Sequence, residues 1–197
     1  CHGDHIGTFN IFVDEYHDDV TIKEIIYNFP SDSDIASGAS YMLDNSNQRY
    51  NKFKSVISNY LTDTKIIKAH SGYRFYYADL EVEILQTFED LYPTAVSRYD
   101  FNSTSTIFKL NIAGQKMLFL GDVDDTGANK LTSVYSTALK SDFVQIAHHG
   151  LNRNTPIKNI YMSADAKYVF FPTSEGWYNQ HKDSNANLYL LTESKTV

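Results

Sequence analysis

Two apolar runs that stop abruptly on polar residues constrain this chain more than any other feature. Met117-Leu118-Phe119-Leu120 ends in Gly121-Asp122, and Phe143-Val144-Gln145-Ile146-Ala147 ends in His148-His149-Gly150. A short apolar run bounded by turn residues reads as a buried strand. Asp122 and the histidine pair would then emerge at strand ends, where polar groups can be presented without being buried unpaired.

The remaining pattern agrees with an α/β chain. Val20 to Phe29 and Asp79 to Leu85 carry strand signals, the second by alternation of Leu80, Val82 and Ile84 against Glu81 and Glu83. Ser105 to Ile112 and Gln115 to Leu120 form a hairpin through Ala113-Gly114, and Phe143 to Ala147 and Lys167 to Phe171 extend the sheet. Tyr50, Phe53, Ile57, Tyr60 and Leu61 recur at helical spacing, as do Leu131, Tyr135, Ala138 and Leu139. Thr155-Pro156 announces a third helix, as a cap with proline at the first helical position, and turns Ile157, Ile160 and Tyr161 inward. The polar stretch Ser31 to Asn47 reads as a long surface loop.

At 197 residues, with 42% hydrophobic and 21% charged content, the composition excludes general disorder and predicts one domain over residues 1–197. A net charge of -7 disfavours nucleic acid as a partner without forbidding it. No apolar run reaches the roughly 18 residues that a membrane-spanning helix needs, and the single cysteine excludes an intrachain disulfide framework. The compartment stays open, cytoplasmic or extracellular.

A third cluster opens the chain: Cys1-His2-Gly3-Asp4-His5-Ile6-Gly7 sets two imidazoles and a carboxylate within four residues, and its glycines suggest a turn on which side chains converge. Taken alone, His-x-x-His or Gly-Asp is ordinary turn chemistry. In the order His-Asp-His, Gly-Asp, His-His-Gly, the three clusters point to a metal site.

In that order they resemble the metallo-β-lactamase superfamily. His2 to Gly7 looks like the tail of its signature His-x-His-x-Asp-His-x-Gly, the first His falling one position before Cys1, so the N-terminal part of the fold is expected to be missing. Asn102-Ser103-Thr104-Ser105, then Leu120-Gly121-Asp122, then Ile146 to Gly150 is similar to the competence-protein branch, and to phosphocholine esterases. The resemblance implies a four-layer αββα sandwich. It implies two divalent metal ions, zinc first and manganese or iron as alternatives, held by His2, Asp4, His5, Asp122 and His149. His148 would serve the substrate or the ligands, and Asp4 would double as a proton acceptor. Many members carry a further His before the Gly-Asp; here Glu83 to Pro93 has none, and His70 lies earlier in a loop.

The implied activity is hydrolysis of a phosphoester or phosphodiester by metal-activated hydroxide at neutral pH. Hydrolysis of a lactam, lactone or thioester, and a degenerate non-catalytic binding domain, stand as alternatives. Asn102, Asn152 and His181 are the expected substrate contacts, with Tyr99 and Arg153 behind them. Trp177 and Tyr178 are either an aromatic wall or core.

Overall fold

A six-stranded mixed sheet, its strands adjacent in chain order, carries the second half of the chain. The computed structural model describes residues 3–39, 46–91, 101–151 and 154–193. The chain divides into two compact units, Cys1–Ala69 with Ser97–Phe101, and His70–Val96 with Asn102–Val197.

In the first unit, helices α1 (Gly3–Tyr16), α2 (Asp32–Ala39) and α3 (Ser46–Tyr60) accompany two parallel strands, β1 (Glu24–Tyr27) and β2 (Lys65–Lys68). Ile6, Asn10 and Val13 recur at helical spacing on the buried side of α1, and Asn10 Nδ2 donates to the Arg49 carbonyl at 3.0 Å. Tyr50, Phe53 and Val56 of α3 supply the opposing apolar stripe. Phe9, Tyr27, Phe29 and Tyr50 all hold their rings against Phe53.

Three expectations need correction here. The opening cluster is not a turn: Gly3 is already helical, and Asp4 and His5 occupy the first turn of α1. Ser31 to Asn47 is not one long loop, because α2 begins inside it; Ser31 accepts from Asp34 N–H through its hydroxyl (3.2 Å) and from Ile35 N–H through its carbonyl (2.9 Å), as a helix cap does. Tyr60 does not face the core. It is exposed and stacks on His17 with ring centroids 4.0 Å apart, while Val56 takes the inward position.

The second unit contains β3 (Arg74–Tyr77), β4 (Leu80–Gln86), β5 (Ile107–Ile112), β6 (Gln115–Phe119), α4 (Asp125–Tyr135), β7 (Phe143–Gln145), α5 (Thr155–Ala164), β8 (Tyr168–Phe170), α6 (Glu175–His181) and α7 (Asn185–Glu193). β3 to β6 are antiparallel, and β5 and β6 meet at the expected hairpin, where both Ala113 (φ 50°) and Gly114 (φ 78°) are left-handed. β6, β7 and β8 are parallel, so each pair requires a crossover, and α4 and α5 provide them. Leu118, Leu120, Val144 and Ile146 bury against Leu131, Ile157, Ile160 and Tyr161 of those helices in one apolar core. The α/β class read from the sequence is therefore what the chain adopts, with seven α-helices among the described residues.

Two boundaries move by local chemistry. α4 stops at Tyr135, because Ser136 turns to φ 39°, and the rest of the expected helix is a 3-10 turn over Ser136–Leu139. The cap of α5 is Asn154 rather than Thr155, which is itself the first helical residue. Among the described residues, no helix is long and apolar enough to cross a membrane.

Candidate functional site

The pairing of β6 with β7 ends at Leu118 and Val144, and both chains continue past the ladder. Beyond it β6 yields Leu120, Gly121 and Asp122; β7 yields Ile146, Ala147, His148 and His149. Gly121 has a left-handed φ of 54°, and a Cβ there would stand 3.2 Å from Ser105 Oγ. The close approach has a purpose: Ser105 Oγ accepts from the Asp122 N–H at 3.1 Å and fixes the backbone from which the carboxylate projects. Asp122 is buried, only 4% exposed.

On the other branch His148 (φ 50°) and His149 (φ 51°) are both left-handed, followed by Gly150 at φ 82°. Left-handed backbone costs a non-glycine residue on the order of 1 kcal/mol, so two in succession persist only where surrounding bonds hold them. Those bonds are present. His148 N–H donates to the Gly121 carbonyl at 3.0 Å, Leu151 N–H to the His148 carbonyl at 2.7 Å, and Ala147 N–H to the Tyr161 hydroxyl at 3.0 Å.

His149 Nδ1 lies 2.8 Å from the Pro172 carbonyl, and because a carbonyl only accepts, Nδ1 carries the proton. In the neutral ring Nε2 is then the lone-pair nitrogen, and it faces Asp122 Oδ1 at 3.5 Å. A carboxylate beside an imidazole whose far nitrogen is tied to a backbone carbonyl is the donor chemistry that divalent metals select. The residues present fit such an ion.

In the first unit, His5 Nε2 and Asp4 Oδ1 are 3.9 Å apart on the first turn of α1, both substantially solvent-accessible. His2, Asn152, Tyr99 and Arg153 lie outside the described residues. Asn102 is buried, in a 3-10 turn spanning Phe101–Thr104. His181 closes α6 with its ring 4.4 Å from that of Trp177, and Tyr178 meets Phe171 edge-on at 5.1 Å. His70, half-exposed, has Nδ1 3.8 Å from Glu89 Oε1.

Sequence reasoning passed over Gln145 and Ser105. Gln145 was legible as the one polar residue interrupting an otherwise apolar run; Ser105 stood in the Asn102-Ser103-Thr104-Ser105 motif, but nothing there pointed to its bond with Asp122.

No family model matches the chain. Over 95 residues, 48% of this chain, it is 28% identical to the competence protein ComA of Neisseria gonorrhoeae. The chain spans only 13% of that relative's length. Among solved structures it is similar to the metallo-β-lactamase fold protein YhfI of Bacillus subtilis, with a TM-score of 0.40, 13% identity, and coverage of 93% of this chain and 67% of that one. That likeness is a loose one.

Proposed function

We propose that this chain is a metal-dependent hydrolase domain of the metallo-β-lactamase superfamily, of the competence-like branch, acting on a phosphoester or phosphodiester. The observation that carries the reading is the buried Asp122 carboxylate 3.5 Å from His149 Nε2, with His149 Nδ1 tied to the Pro172 carbonyl. The order of the three motifs along the chain and the similarity to a competence protein support it.

In this reading Asp122 and His149 hold metal, and the motif resemblance adds His2, Asp4 and His5 as further ligands. Two divalent ions, zinc by preference with manganese or iron as alternatives, complete it. Bound there, divalent ions lower the pKa of water toward about 7 and take up charge that builds on a phosphoryl oxygen. Asp122 supplies the anionic charge that lets two cations approach, and its burial keeps that charge poorly screened. The Pro172 carbonyl holds the His149 ring in one tautomer and one orientation, with Nε2 toward Asp122. His148, whose backbone is held by Gly121, is the group proposed to hold or pass a proton at the substrate, and Asp4 is a second acceptor. His181, set against Trp177, is the proposed pocket residue.

The test is hydrolysis of bis-p-nitrophenyl phosphate and of a chromogenic lactam by protein expressed with added zinc or manganese. Phosphodiester turnover that chelation removes and that Asp122→Asn abolishes is the expected result. Turnover of the lactam alone would replace the substrate class, and metal-free, inactive protein after supplementation would overturn the reading.

A further inference from the structure

Gln145 is the last residue of β7 and the one polar side chain in its apolar run. Its side-chain amide does what the backbone ladder has stopped doing. The last rung between β6 and β7 pairs Leu118 with Val144. Past that rung the two chains carry the Asp122 and His149 segments off the ladder, with the bond from His148 N–H to the Gly121 carbonyl between them. Gln145 Oε1 accepts from the N–H groups of Leu120 and Gly121, both at 3.2 Å, and Nε2 lies within reach of the carbonyls of Gly121 (3.4 Å) and Ile146 (3.3 Å). One planar group thereby ties the strand exit that carries Asp122 to the exit that carries His149.

We infer that Gln145 is a positioning residue that sets the separation of Asp122 and His149, acting as a rung of the sheet where the sheet itself has ended. This inference rests on the proposed metal chemistry of those two residues. The Gly121 carbonyl is the shared point: it also accepts from His148 N–H at 3.0 Å, so the amide of Gln145 and the left-handed histidine backbone are anchored on the same atom. Removing the amide leaves two peptide N–H groups without their acceptor in a largely water-excluded place and leaves the bond from His148 N–H to the Gly121 carbonyl to hold the two branches together. The branches stay attached to the sheet, but the distance between carboxylate and imidazole is held less firmly, and misplaced groups around metal ligands typically weaken binding about 10- to 100-fold.

The test uses variants of the full chain, chiefly Gln145→Met, which keeps the length and apolar volume without the amide, and Gln145→Glu, which keeps an acceptor for Leu120 and Gly121. Zinc affinity is read by competition with a chromophoric chelator, and ligand geometry by the visible spectrum after loading with cobalt(II). The expected result is a loss of about 10- to 100-fold in zinc affinity and an altered cobalt spectrum for Gln145→Met. Gln145→Glu should lie between it and the native chain. Should Gln145→Met fail to fold, an unchanged affinity and spectrum in folded Gln145→Glu together with equal binding by Gln145→Asn, whose shorter amide cannot span the same atoms, would overturn the inference. Native chain that binds zinc no better than Asp122→Asn sinks the functional reading and this inference with it. Native chain that binds zinc, with Gln145→Met binding equally tightly and giving the same cobalt spectrum, overturns the role of Gln145 alone.

Discussion

The Ala147 N–H stands one residue before the histidine pair and donates to the Tyr161 hydroxyl, both residues being all but inaccessible to water. A buried peptide group that loses its acceptor costs about 1–3 kcal/mol, because it gave up water on folding and has nothing in exchange. Tyr161→Phe is therefore expected to lower unfolding free energy by about that amount, measured by urea denaturation at constant m-value. Its effect should extend beyond stability, since the same bond holds the chain just ahead of the two left-handed histidines. A variant as stable as the native chain would show that Ala147 finds another partner.

Elements in the second unit owe their ends to single side chains. α4 begins where Asp124 takes an extended conformation and its carboxylate accepts from Gly127 N–H at 2.9 Å. Asp124→Ala removes that cap, two residues after Asp122, and is expected to cost about 1 kcal/mol, again by denaturant titration. At the other end, Lys109 of β5 sends its ammonium to the carbonyls of Ala138 (2.6 Å) and Lys140 (3.3 Å), satisfying the chain as it leaves the 3-10 turn after α4. Burial holds its pKa below the ordinary lysine value, against the opposing pull of Glu83. Between the depressed folded value and the unfolded value near 10.4 the unfolded chain binds more protons, so Lys109 makes stability rise as pH is raised through that window. The difference in unfolding free energy between native chain and Lys109→Met, followed across that alkaline window, should grow in favour of the native chain; a flat difference would contradict the buried ammonium.

At the scale of the whole molecule, an ion that binds the folded chain stabilises it by mass action. At a free concentration 100 times its dissociation constant the gain is about 2.7 kcal/mol, or roughly 5–10 °C in melting temperature for a chain of this size. Zinc is expected to raise the melting temperature of the native chain and to leave Asp122→Asn unchanged; an equal rise in both would place the ion elsewhere. The sequence by itself determined the α/β class, the β5–β6 hairpin, the inward face of α5, and the two strand ends that deliver Asp122 and His149. All of these rest on local period and turn chemistry, which neighbouring residues carry among themselves. It could not tell that Asp4 and His5 ride on a helix, since glycines at both flanks signal a turn as readily as a helix start. Nor could it show that α2 interrupts a polar stretch, where a serine cap outweighs weak propensity. Tertiary structure alone decided that Ser105 supports Asp122, that Pro172 orients His149, and that Gln145 spans two strand exits. Those bonds join residues 17 to 25 positions apart, and a contact between distant segments leaves no period or motif in either of them.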